Sequence, residues 1–481
     1  MTNIFSVALP EIIILISAMS VLLLGVYFNN KNSTSLFGIT QLTLLLSAYF
    51  TAQLPMDSKL LAFGGMFISD SLSIYLKLLS YFSLSLVLIY SKDFLFQKKL
   101  LTGEFFSLTL FALLGINLII SSFNLLTVYM GIELLSLSLY TLVAIDRKNK
   151  EASEAALKYF ILGAVASGFL LYGFSMVYGL TGTLAIDEIS QQLMDAQASS
   201  FVFSFALVFI TVGIAFKFGA APFQLWVPDV YQGSSTPITM FIGSVPKFAS
   251  MAMLIRLLYQ SMDYYVIDWQ SMLLIMAIIS MLLGNITAIA QVKIKRLLAY
   301  SAISHVGFIF LGLATGAVTG IASALFYVSA YMLMTLASFG IIIILSNQKK
   351  NEIIEINDLA GLAKEKPWMA FLLLITFLSL AGIPPTIGFY AKFSVIQSVI
   401  QFGWVWPAVI AIISALIGMY YYLKIIKIAY FDDPNSDKKF VKQQNFEFTI
   451  TLSINVMAII LIGLFPEFLL DITTLTSILI F

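Results

Sequence analysis

Apolar residues in this chain come in long unbroken blocks, and polar residues collect in short clusters between them. The stretch "ALPEIIILISAMSVLLLGVYF" opens the series. A block of about 18 or more such residues crosses roughly 30 Å of hydrocarbon as a helix, whereas lipid-facing strands alternate with a period of two. Alternation is missing here, so strands are not expected. The pattern predicts an all-α polytopic membrane protein with about fourteen spans. They fall at residues 8–28, 35–55, 69–91, 105–121, 123–145, 156–180, 200–229, 237–258, 269–290, 299–317, 319–346, 367–400, 404–430 and 449–471.

Two of these blocks carry breaks. "GAAP" ends at Pro222 in the seventh span, and "GIPP" ends at Pro384-Pro385 in the twelfth. Proline removes a backbone donor and clashes with the preceding turn, and lipid cannot satisfy the groups it frees. Broken spans are tolerated where the backbone faces protein or a water-filled cavity. The breaks lie five spans apart, and a unit with an odd number of spans inserts upside down when it repeats. Paired interrupted spans in two inverted halves point to an ion path. The expected organisation is a single membrane domain over 1–481. It comprises N-terminal helices in 1–104, a first repeat in 105–258, a second in 269–430 and a last span at 449–471. The longest loops, 181–199 and 347–366, have room for a short surface helix and no soluble domain.

The charges between the blocks test the span count. If the spans alternate, one side receives Lys31, Lys92, Lys98, Lys99, Arg147, Lys148, Lys150, Lys293, Lys295 and Arg296. Lys349, Lys350, Lys364, Lys366, Lys438, Lys439 and Lys442 fall there too. The other side has little beyond Lys59, with Arg256 near a span end. Positive charge stays cytoplasmic, so both termini are expected outside. Met1 to Asn3 run straight into the first block, so no cleavable leader is expected.

Composition removes whole classes of chemistry. The chain is 60% hydrophobic and 11% charged, and it has no cysteine. Disulfides, thiolate iron–sulfur ligands and cysteine-based zinc sites are therefore excluded. One histidine, His305, cannot make a histidine-rich metal cluster, and no phosphate-binding glycine loop is present. Redox chemistry must be carried elsewhere. The lipid bilayer is a partner by composition, and nothing points to nucleic acid.

A few ionisable residues lie deep inside the blocks: Glu133, Lys217, Lys247, His305 and Lys392. Such a charge costs about 2.5–3.5 kcal/mol on insertion scales, faces the protein interior and usually serves function. Lys77 and Lys158 lie nearer span ends and can snorkel to the headgroups. The structural alternative for Glu133 is a static pair with one lysine. A single carboxylate cannot neutralise three amines, so at least two are expected without one, where desolvation works against their charged form. The set therefore suggests protonable sites close to helix breaks, with His305 either a core residue or a relay.

The runs "FKFGAAPFQLWVPDVYQGSSTPITMFIGSVPK", "QVKIKRLLAYSAISHVGFIFLGL" and "LAGIPPTIGFYAKF" resemble the antiporter-like subunits of respiratory complex I, relatives of a subunit of multi-component Na+/H+ antiporters. The likeness extends over nearly the whole chain. It implies proton translocation driven by NADH-to-quinone electron transfer in other subunits, in a bacterial plasma (inner) membrane. FMN, iron–sulfur clusters and quinone would sit in those partners and no cofactor in this chain. Partners would be other membrane-arm subunits, paralogous antiporter-like ones among them. By motif, Glu133 and Lys217 would form the coupled pair of the first half-channel, Lys247 the bridge, and Lys392 the terminal lysine. His305 would lie between Lys247 and Lys392, and Lys158 near the first half-channel. One paralogue has a glutamate where Lys392 stands, which suggests that a carboxylate is tolerated there. Gln224 stands where the family often has histidine, which puts a relay at that point in doubt. The alternatives are a multi-component cation/proton antiporter, a proton-pumping hydrogenase, a ferredoxin-dependent plastoquinone reductase, or a passive scaffold.

Overall fold

A computed structural model of the chain describes residues 4–27, 33–195, 200–346, 353–434 and 446–480. The long helices are α1 (Leu9–Tyr27), α2 (Ser33–Ala52), α3 (Ser71–Gln97), α4 (Gly103–Ile120), α5 (Leu125–Val143) and α6 (Lys150–Thr181). They continue as α7 (Ser200–Phe218), α8 (Trp226–Gly233), α9 (Thr236–Gln260), α10 (Val266–Ile289), α11 (Ile294–Ala314) and α12 (Val318–Leu345). The last are α13 (Pro367–Ala381), α14 (Ile387–Gln401), α15 (Val405–Phe431), α16 (Phe446–Leu464) and α17 (Glu467–Ile478). Among the described residues, 13 helices are long and apolar enough to cross a membrane. The twelfth expected span is not among them, because it is divided into α13 and α14, of fifteen residues each.

Side-chain caps start several of these helices. Asp70 and Ser73 form a capping box on α3, and Thr102, Asn124 and Asn149 cap α4, α5 and α6. The loop after α6 holds a short helix, Ile186–Asp195, as its length allowed. The expectation of no strands needs correction. Leu60–Ala62 pairs antiparallel with Phe67–Ser69 in a hairpin between α2 and α3. Each strand has three residues, too few to leave a periodic signal, and Gly64-Gly65 turns the chain with positive φ.

Burial rises toward the middle of the bundle. α9 and α12 are enclosed along their whole membrane windows and α11 almost so, while α1, α2 and α16 are about one-third buried. Helices apolar on every side belong in such positions. These innermost helices also carry Lys247 and His305.

Loop contacts sort into two ends, as the alternation of spans requires. At one end the backbones of Lys293 and Glu355 form an isolated antiparallel bridge, Lys364 pairs with Asp433 at 2.7 Å, and Arg296 reaches Asp229. At the other, Ser190 bonds Asp263, Phe123 bonds Met66, and Lys59 and Gln260 both donate to the Ile480 carbonyl. Lys31, Lys349, Lys350, Lys438, Lys439 and Lys442 lie outside the described residues.

The two breaks share one backbone design. Gly219 and Gly382 both end a helix with positive φ, 74° and 84°. Gly219, Ala220 and Phe223 donate to Phe216, Ala215 and Ala220, and Gly382, Ile383 and Thr386 donate to Ser379, Leu378 and Ile383. Every group recurs at a constant offset of 163 (382 minus 219). The Ala221–Pro222 and Pro384–Pro385 bonds are both cis. Pro222, Pro384 and Pro385 face outward rather than into the bundle. The first broken span resumes as the eight residues of α8, the second as the fifteen of α14.

Candidate functional site

Lys217 sits in the last turn of α7, where the helix is about to end. Its Nζ donates to Ser136 Oγ at 2.6 Å. Ser136 lies three residues beyond Glu133 on the same face of α5, which brings the carboxylate within electrostatic range of the amine. The two do not form a close ion pair, and the buried Glu133 Oε1 has no hydrogen-bond partner in the structure. The structure thus brings Glu133 and Lys217 into one neighbourhood from two helices, with Lys217 bonded to Ser136 rather than to the carboxylate.

Lys217 and Lys247 line one small cavity of about 20 Å³ together with Tyr159, Trp226, Tyr231 and Pro246. A second cavity of the same size touches Lys217, Ser136 and Ser250. Each has room for about one water molecule. Lys247 follows Pro246 in the enclosed α9. Its Nζ lies 4.2 Å from the ring centre of Tyr331, a cation–π contact, and no carboxylate pairs with it among the described residues.

Tyr331 passes the line onward, its ring 5.1 Å from that of His305. His305 is held at both nitrogens: Nδ1 is 2.7 Å from the Tyr327 hydroxyl and Nε2 is 3.1 Å from that of Tyr422. Tyr422 also bonds Ser301. Phe308 stacks on Tyr327 and presents its ring 5.6 Å from Lys392 Nζ. Lys392 then reaches back across the break and donates to the carbonyls of Leu380 at 3.0 Å and Ala381 at 2.9 Å. These are terminal carbonyls of α13, which lack intrahelical partners and carry the negative end of the helix dipole. The lysine chain passes over Gly382, where a Cβ would lie 2.9 Å from Lys392 Cδ.

Lys247 and His305 thus sit on the enclosed α9 and α11, with Glu133 and Lys217 reached from α5 and α7 on one side and Lys392 from α14 on the other. Lys158 does not join them. It is 44% exposed and pairs with Glu154 and Asp229, each at 2.9 Å, while Arg296 holds the other Asp229 oxygen. This cluster ties α8 to α6 and α11. Gln224 is buried in the loop of the first break, its Oε1 unpartnered.

Lys77 requires a correction. It does not snorkel; its side chain is 1% exposed and its Nζ lies 2.6 Å from Glu11 on α1. Sequence pattern also missed the fully buried Arg256, whose guanidinium grips both oxygens of Asp70 at 2.6 and 2.8 Å and reaches Gln260. Spacing offered a signal for each member but none for their pairing: Asp70-x-x-Ser73 before an apolar block marks a helix start, and Arg256 and Gln260 are one turn apart. Tyr327, Tyr331 and Tyr422 gave no such signal, because tyrosine is unremarkable in an apolar span.

The chain belongs to the family described as "NADH:quinone oxidoreductase/Mrp antiporter, TM", whose model matches residues 122–418. It is 49% identical to NADH-quinone oxidoreductase subunit N of Methylovorus glucosotrophus, over 97% of this chain and 96% of that protein. A chain of respiratory complex I from Thermus thermophilus superposes with a TM-score of 0.81 at 29% identity, covering 96% of this chain and 98% of that one. A chain of the archaeal membrane-bound sulfane sulfur reductase shares the fold, with a TM-score of 0.87 at 24% identity and coverage of 99% and 98%.

Proposed function

We propose that this chain is a proton-translocating membrane-arm subunit of an NADH:quinone oxidoreductase, of the subunit N type. Electron transfer takes place in other subunits, and this chain moves protons through Glu133, Lys217, Lys247, His305 and Lys392. The observation that carries the reading is the succession of buried amines, hydroxyls and rings from Lys217 through Lys247 and His305 to Lys392, with Glu133 in electrostatic range of its first member. A passive scaffold has no need of amines placed there at insertion cost.

In this mechanism ionised Glu133 holds the proton on Lys217. Movement in a neighbouring membrane-arm subunit separates the two, and the proton passes to Lys247 through the shared cavity. Water together with His305 and its tyrosine hydroxyls carries it past Phe308 to Lys392, which releases it outward. Moving one charge across the membrane involves about 2.3 kcal/mol per 100 mV. Shifting a neighbouring charge by a few ångströms at an effective dielectric near 20 changes the energy by a similar amount. The matched breaks support two inverted halves, 105–258 and 269–430, between an N-terminal unit in 1–104 and the span at 449–471. Both termini face outward in the bacterial plasma membrane.

The test is Lys247→Ala in membranes. Pumping and coupled NADH:quinone turnover should fall together while NADH oxidation by an artificial acceptor continues; wild-type pumping would overturn the relay. The family description also covers cation/proton antiporters. Cation-driven proton transport by the purified chain in liposomes, without redox partners, would favour that second reading.

A further inference from the structure

A far larger cavity than those beside Lys217 lies away from the proposed relay. It is a groove of about 960 Å³ on the open outer side of α1, α4, α5 and α6. Its walls include Leu22, Phe111, Leu157 and Phe160, and its rim carries Lys99 and Arg147. Both rim residues belong to loops on the basic side of the chain. Along α4 the groove runs from Thr102 to Phe111, which at 1.5 Å per residue is about 14 Å, the depth of one leaflet's hydrocarbon. Its volume is at the upper end of the range of small-ligand sites, with the same balance of apolar wall and few polar groups. The capped N-termini of α4 and α6 also open at this level, adding partial positive charge. Glu104 stands on the rim as well and leaves it net positive.

We propose that this groove binds one anionic phospholipid of the basic-side leaflet, its phosphate at Lys99 and Arg147 and an acyl chain along Phe111 and Leu157. Charge complementarity selects the occupant, since the rim lies where a headgroup phosphate sits and the walls lie where acyl chains run. The floor gives the lipid a second role, which rests on the proton-relay reading. Tyr140 lines the groove and meets Tyr159 edge-on at 4.7 Å, and Tyr159 lines both cavities beside Lys217. A lipid chain over Tyr140 would seal that hydrated region from the bilayer.

The test uses the intact purified complex, washed in detergent until bulk lipid is gone and then exposed to phosphatidylglycerol or phosphatidylcholine. The wild type should retain one phosphatidylglycerol more per complex than the double variant Lys99→Glu with Arg147→Glu, which should bind it at least about tenfold more weakly. Leu157→Trp, which fills the groove without touching its charge, should lose the same lipid. Equal phosphatidylglycerol content in all three would overturn the proposal. So would a photo-crosslinker at position 157 that captures another subunit instead of lipid. These readouts do not depend on pumping, so failure of the relay leaves the binding result intact. Increased proton leak in lipid-free complex would support the seal, and unchanged leak would remove it.

Discussion

In the first broken span the lysine stands two residues before its helix-ending glycine; in the second it stands ten residues after, on the helix that has restarted. The glycine turns share three backbone hydrogen bonds at one offset, so the turn does not by itself decide what the amine touches. Lys217 leaves its own span for a serine hydroxyl on α5, with a carboxylate in range and no close ion pair. Lys392 turns back onto carbonyls of its own span. A carboxylate changes charge when it takes up a proton, whereas a helix terminus does not. The comparison therefore separates a responsive end from a fixed one. The position matching Lys392 at the shared offset is Asp229, which in the first half belongs to the surface clamp with Lys158 and Arg296.

The largest effect is expected at the responsive end. Lys217→Ala should reduce coupled pumping by about 10²-fold, the scale of a lost proton-transfer group, measured as pH-gradient formation in membrane vesicles. Next, the two glycines separate backbone from amine. Gly382→Ala and Gly219→Ala should each cost about 1–2 kcal/mol of stability from positive φ, read as a lower melting temperature. Only Gly382→Ala also displaces Lys392, so its pumping loss should be the greater; equal losses would erase the distinction between the two ends. At Lys392 the structure reverses what the paralogue's glutamate suggested. A carboxylate would face terminal carbonyls of like sign, so Lys392→Glu should assemble less well than Lys392→Gln, which keeps a donor. Tyr422→Phe should slow pumping a few-fold, roughly the effect of one removed hydrogen bond. The smallest effect is expected for Gln224→His, with turnover within about twofold of wild type, since a surface-independent relay at that point is not needed by the line described.

Much of this was legible before any coordinates. Long apolar blocks gave the spans, because a membrane helix must satisfy its backbone internally and so leaves a continuous signal. The deep charges were legible for the same reason: against hydrocarbon, Lys247 cannot be mistaken for surface. Partnering was not. Lys77 meets Glu11 across 66 residues of chain, and from the sequence it had only a span end nearby. Arg256 and Asp70 are farther apart still and lie on opposite ends of separate blocks. Their pairing depends on how helices pack, which period and hydropathy do not encode. The three-residue strands and the tyrosines around His305 were hidden for a simpler reason, being too short or too ordinary to stand out.

The clamp on His305 has one further consequence. With a phenol at each nitrogen, the imidazole can accept a hydrogen at one edge and give up another at the opposite edge without turning its ring. Such a passage leaves the tautomer exchanged and both hydroxyls pointing the other way. On the proposed relay the segment then carries a memory of the last transfer: a second proton cannot follow in the same direction until the ring turns to restore its tautomer and those hydroxyls swing back. The segment would act as a single-shot ratchet, delivering one charge and then waiting to be reset.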